Sequence, residues 1–335
     1  MKKDVASNHS NPLHLLSLDA FQVLTQQQMR RRGRGILAAL GSAFFLGMTP
    51  IFGKQAILMG MSPLAVAAVR TSLAALLVFL VVLIFSRQSL YIYPAGLLGC
   101  TIAGWINGIG SLFYYSALGR VEASIGHLLY SLYPLFLMLW LFLDGQTPSR
   151  LTILRISLAI PGVYLLTQAN QGKADWIGIV EMLIAAGFYA LHLPINQRVL
   201  FDMPAPTVTF YTLLAMSSVV LPFYLLTNRH VGQPDNLQAW QPLLGLTLVT
   251  FLARLMLFIG VKHLGGMQTA LLGLGEIIVV VTFSYLWIGE QLNWLQWSGA
   301  CLLIASMLLF GLDRPPAGTS HRSLWLGWLK PPMSP

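Results

Sequence analysis

Between Gly35 and Leu312 the chain is a succession of apolar runs, each about twenty residues long, separated by loops of a few residues. A run of that length matches the roughly 30 Å hydrocarbon core of a bilayer at about 1.5 Å of rise per residue. Inside lipid every backbone N–H and C=O needs an internal partner, so such runs fold as helices. The sequence therefore predicts an all-α polytopic membrane protein. Ten transmembrane helices are expected, over 35–54, 63–86, 94–117, 123–143, 150–168, 176–197, 206–227, 241–262, 267–288 and 293–312. With 56% hydrophobic and only 9% charged residues, 335 residues cannot cover a water-soluble domain with polar surface.

A formal net charge of +9 would point to nucleic acid in a soluble protein. Here the cations sit mainly in loops and tails, and no nucleic-acid partner is expected. With the N-terminus in the cytoplasm, that side holds Lys2, Lys3, Arg30, Arg31, Arg32, Arg34, Arg87, Arg150, Arg155, Arg198, Lys262, Arg314, Arg322 and Lys330. The opposite side holds only Lys54, Arg120, Lys173 and Arg229, and Arg70 and Arg254 remain within spans. This asymmetry predicts that both termini, residues 1–34 and 313–335, are cytoplasmic tails. The first thirty-odd residues show no compact apolar region with a small-residue cleavage site, so the first helix is read as its own insertion signal. Cys100 and Cys301 lie in apolar segments and read as small packing residues, and no metal site is expected.

Internal repetition constrains the architecture further. At a constant offset of 144, Ala43–Lys54 (AFFLGMTPIFGK) aligns with Gly187–Arg198 (GFYALHLPINQR), matching Phe45 to Tyr189, Pro50 to Pro194 and Lys54 to Arg198. The same offset sets Gly145-Gln146 against Gly289-Glu290. The chain thus divides into two five-helix units, 35–168 and 176–312, joined by the polar linker Gln168–Asp175. Because five is odd, the second unit enters the membrane from the other side, giving two inverted five-helix repeats. Inverted repeats build secondary transporters whose sites lie near the midplane between the halves.

Three local patterns resemble the EamA-type members of the drug/metabolite transporter superfamily. They are Pro63–Arg70 (PLAVAAVR), Ala117–Pro134 (ALGRVEASIGHLLYSLYP), and the pair Gly275-Glu276 and Gly289-Glu290 bracketing the ninth span. Two departures stand out: Ile277 replaces a usual Pro, and the first unit has Asp144-Gly145-Gln146 where Gly-Glu is typical. The resemblance covers residues 35 to 312 and implies an inner-membrane or equivalent organelle-membrane transporter.

The charged and polar residues inside the spans are the candidate site. Glu276 sits about nine residues into its run, roughly 14 Å deep. A carboxylate at a helix centre in lipid costs about 2.5–3.5 kcal/mol on insertion scales, which marks a proton-coupling or substrate-ammonium site. The competing reading locks Glu276 to Arg70 or Arg254. Arg70 offers a planar fork of donors for a carboxylate or phosphate, or for a structural or gating pair, which the resemblance favours. Arg254 either snorkels to the interface or faces the cavity. Glu181 reads as a wet interfacial carboxylate. His127 and His192 are lone imidazoles without a second ligand at helical spacing, and read as packed side chains.

His192 gains interest from Pro194 and Asn196 beside it, because Pro194 and its counterpart Pro50 are expected helix breaks. Asn107 and Tyr115, with Trp105, Tyr114, Tyr130 and Tyr133, put polar and aromatic groups on spans three and four, mostly for packing and partly to line a cavity.

The function expected is export or exchange of a small metabolite, an amino acid, amine or related solute, by alternating access with proton coupling. The partners expected are that solute, protons, the lipid bilayer and, as an open option, a second copy of the chain. No cofactor is expected, and with no GxxxxGK[ST] run present, ATP drive within this chain is unsupported. A channel or a non-transporting scaffold is the alternative, though no repeated pore-lining polar ring is evident. An integral-membrane enzyme would need a clustered catalytic set, and the seven His residues are scattered.

Overall fold

In the computed structural model, residues 12–143, 150–168, 175–227, 238 and 240–309 are described. The first half contains α1 (Pro12–Leu58), α2 (Pro63–Phe85), α3 (Pro94–Arg120), α4 (Ala123–Tyr130), α5 (Tyr133–Leu143) and α6 (Arg150–Gln168). The second contains α7 (Trp176–Asp202), α8 (Ala205–Thr227), α9 (Trp240–Leu264), α10 (Gly266–Gly273), α11 (Gly275–Phe283) and α12 (Trp294–Leu308). Among the described residues, seven helices are long and apolar enough to cross a membrane, counting α4 and α5 as one, and three shorter apolar helices accompany them. Large side chains such as Phe85, Leu98, Ile160, Ile278 and Trp294 are exposed. A water-soluble protein rarely shows that much contiguous apolar surface, whereas lipid covers it without cost. The chain is a multi-pass membrane protein.

Local sequence starts several helices. Ser62 caps α2 by accepting from the Ala65 N–H at 3.2 Å, with Pro63 at the first helical position, where its missing N–H is not needed. Asp175 caps α7 through the Ile177 and Gly178 N–H groups. Asn293 and Gln296 satisfy each other's backbone at the start of α12.

The halves interlock reciprocally. α1 packs on α9 and α3 packs on α7; α2 meets α8, and α6 meets α12. Each partnership crosses the midpoint of the chain, and each maps onto itself or its mirror when the halves are exchanged. Close approach is set by small residues. A Cβ on Gly104 would lie 2.6 Å from the Thr212 carbonyl of α8, and one on Gly299 would lie 2.7 Å from the Gly162 carbonyl of α6. Gly104 and Gly108, one turn apart, therefore form a small-residue contact stripe of α3 against α8.

Two expectations are corrected. α1 and α7 run as continuous helices through Pro50 and Pro194. Each proline removes one hydrogen bond, to Leu46 and Ala190 respectively, and the surrounding helices hold the segment together. The interruptions fall in the fourth span of each half. α4 and α5 are separated at Ser131-Leu132, where Leu132 N–H donates back three residues to the Leu129 carbonyl. Pro134 explains this break, because it has no N–H to give the Tyr130 carbonyl. α10 and α11 part at Leu274, between Gly273 and Gly275, and the Ile277 N–H reaches only three residues back to Leu274. Glycine costs about 1 kcal/mol per helical position relative to alanine, so two of them weaken this turn without a proline. Arg155, counted above among loop cations, is fully buried within α6.

Candidate functional site

A cavity of about 50 Å³ lies between the halves, lined by α1, α2, α3, α4, α7, α8, α9 and α11. Glu276, Arg70, Arg254, Asn107 and Tyr115 all border it. The fold thus brings five of the eight site residues expected from sequence into one chamber.

Glu276 stands in the first turn of α11, directly after the break at Leu274. Free N–H groups at a helix start favour a negative charge there. It is nearly buried, and its partner is neither arginine: His127 Nε2 lies 3.6 Å from Glu276 Oε1. His127 occupies the last turn of α4, just before the other break. The two interruptions therefore present an imidazole and a carboxylate to each other. Gly47 lets α1 approach this point, since a Cβ there would meet the Glu276 carbonyl at 2.8 Å.

Arg70, on α2, is buried and donates to Ser111 Oγ at 2.7 Å and to Thr250 Oγ1 at 3.4 Å. Its guanidinium also lies over the Tyr115 ring, 4.6 Å from the centroid. Arg254, on α9, contacts His192 Nε2 at 3.2 Å and lies 5.6 Å from the Tyr189 ring centre. Arginine only donates, so His192 Nε2 accepts, and His192 Nδ1 carries the proton donated to the Tyr189 carbonyl at 2.6 Å. Arg254 is turned into the chamber rather than snorkelling away. Tyr114, Tyr130 and Tyr189 form a continuous aromatic wall, with ring centres 4.8 and 5.0 Å apart.

The other sequence candidates lie elsewhere. His192 stands behind the wall and orients Arg254. Asn196 accepts from Thr212 Oγ1 at 2.9 Å and does not border the cavity. Glu181 accepts from Ser116 Oγ at 2.9 Å and lies 3.5 Å from Arg120 Nε, toward one end of the bundle. His127, Tyr130, Tyr189, Ser111 and Thr250 are the residues that sequence reading undervalued. The signal available for His127 was its place in the span that Pro134 interrupts.

That same end of the bundle is tied by chain-distant contacts. Glu290 accepts from the Ala123 and Ser124 N–H groups at 2.7 and 2.9 Å and from Ser124 Oγ at 2.7 Å, capping α4 from the other half. Gly289 makes this reach possible with φ +80, a left-handed conformation that favours glycine. Lys54 Nζ donates to the Leu118 and Val121 carbonyls at 2.8 and 2.7 Å, closing the end of α3. Burial, and then the neighbouring Glu290, push the Glu122 carboxyl above its ordinary range.

Comparison with known proteins accords with this architecture. The EamA-like transporter family model matches residues 33–168 and again 176–312, and the chain belongs to that family. An uncharacterized transporter of Archaeoglobus fulgidus is 25% identical over 276 residues, spanning 82% of this chain and 95% of that one. The uncharacterized transporter YcbK of Bacillus subtilis is 23% identical over 283 residues, covering 81% of this chain and 90% of its own. A crystal structure titled "Crystal structure of protein" shares the fold, with a TM-score of 0.61 at 15% identity over 83% of this chain and 96% of that one. The chain is a membrane transporter by family. Among the described residues, no cluster of three or more His, Cys, Asp or Glu side chains is placed to hold a metal.

Proposed function

We propose that this protein is a proton-coupled secondary transporter of a small metabolite, with the Glu276 chamber as its solute and coupling site. The observation that carries the reading is a single chamber, built from both halves, that holds two guanidinium groups and one carboxylate. The reciprocal packing of α1 on α9 and α3 on α7 supports two inverted repeats, and the three shorter apolar helices complete ten spans. With the cation asymmetry, both termini face the cytoplasm, and the end carrying Lys54, Arg120 and Glu290 faces outward.

In this reading the halves rock about the chamber, and the contacts of Lys54 and Glu290 hold its outer end shut. Glu276 takes up a proton when the chamber opens to one side and yields it when access changes. His127 stands beside the carboxylate, its Nε2 3.6 Å from Oε1. The broken spans are the compliant elements, because few backbone hydrogen bonds need to be lost when they pivot at Ser131 or Leu274.

The reading is tested by profiling metabolites inside and outside cells carrying the wild type, Glu276→Gln or no protein at matched expression. One solute class should redistribute only with the wild type. Three coinciding profiles would contradict the proposal.

A further inference from the structure

We infer that the chamber selects solutes bearing a carboxylate or a chemically similar anionic group, held between Arg70 and Arg254. This rests on the transporter reading only in placing the solute there. Arg70 and Arg254 border the same cavity, are 6% and 7% exposed, and come from opposite halves. Among the described residues, no carboxylate lies within ion-pair distance of either guanidinium. A charge removed from water is expensive without a counterion, and buried cations are ordinarily paired. Here the chamber holds two positive charges and at most one negative, that of Glu276, which faces His127 instead. The imbalance leaves room for an anion that arrives with the solute.

The local geometry agrees. Hydroxyls of Ser111 and Thr250 take two of the Arg70 donors, while its buried Nε has no hydrogen-bond partner in the protein. Hydroxyls and tyrosine faces position a guanidinium without neutralising it, which keeps the fork available for a bidentate partner. His192 does the same for Arg254 from behind, accepting as a neutral base. The tyrosine wall then offers an apolar face to the remainder of the solute. Because the two arginines belong to opposite halves, one bound anion attracts both and favours their closure around it.

Thermal unfolding of the purified full-length chain in detergent, at constant ionic strength, tests this with three probes sharing one ring: benzoate, benzylamine and benzyl alcohol. Benzoate should raise the unfolding midpoint saturably, with an apparent affinity at least about tenfold tighter than either other probe. Arg70→Gln and Arg254→Gln should each weaken that response by about tenfold or more. Arg254→Lys, which keeps the charge and drops the planar fork, is the second variant should the Gln forms fail to fold; it should also weaken the response. Benzylamine matching or exceeding benzoate, or a benzoate response unchanged in every folded variant, would overturn the inference. Binding at equilibrium needs no turnover. Benzoate binding without flux in vesicles would sink the transporter reading and leave the anion site standing, and flux of amines alone would do the reverse.

Discussion

At the scale of single residues, the site depends on how few charges are present and where each finds a partner. Glu276→Gln preserves size and hydrogen bonding but cannot release a proton. It should lower net solute movement driven by a pH gradient at least about tenfold while leaving folding intact, as checked by elution from a sizing column and by thermal midpoint. A variant with unaltered gradient-driven movement would assign Glu276 a packing role. Asp175 gives a pH prediction outside the membrane. The Gly178 N–H, followed by the Arg120 guanidinium at 3.3 Å, holds its carboxyl below the ordinary range. A depressed folded value means that the cap stabilises α7 above the unfolded value and is lost as pH falls through the folded one. Protection of the Ile177 and Gly178 amides, read as exchange relative to the unfolded chain at the same pH, should therefore hold at pH 5 and fall as pH drops below about 3.9, whereas Asp175→Ala should leave both amides unprotected throughout.

At the scale of elements, the controlling features are two interrupted spans and the contacts that brace them. Removing the Glu290 side chain exposes the start of α4. Glu290→Ala should cost about 1 kcal/mol, read as a lowered thermal midpoint, with Glu290→Gln intermediate. Pro134→Ala restores the N–H that the Tyr130 carbonyl lacks. It should join α4 to α5, raise the thermal midpoint and slow transport; unchanged transport would show that the break does not serve the cycle. Much of this layer was legible in the sequence, and part of it was misplaced. The matched Pro50 and Pro194 pointed to paired breaks, yet a proline costs a long, well-packed helix only one hydrogen bond. The paired breaks instead sit at Ser131 and Leu274, produced by a proline in one half and by flanking glycines in the other. No shared residue type links the two, so sequence alignment of the halves could not reveal them. Glu276 was found because a carboxylate in an apolar run is conspicuous. His127 was passed over because a lone imidazole carries no such signal until its neighbour in space is known.

At the scale of the whole molecule, the two halves are mutually dependent. α1 finds its main partner in α9, and α3 in α7, so each half completes the packing of the other. The cation asymmetry further predicts that reporters fused at either terminus lie in the cytoplasm, whereas one inserted after Lys173 lies outside; the converse pattern would invert the assigned direction of the cycle. The central claim joins this architecture to the chamber: solute and proton movements are coupled because both halves close on one site containing Glu276. The most direct measurement is solute flux and internal pH recorded together in vesicles containing the purified protein, using the solute identified by profiling. The account predicts that wild-type solute movement shifts internal pH in fixed proportion, and that Glu276→Gln exchanges solute without moving protons. Equal solute flux in both proteins, indifferent to an imposed pH gradient, would contradict it.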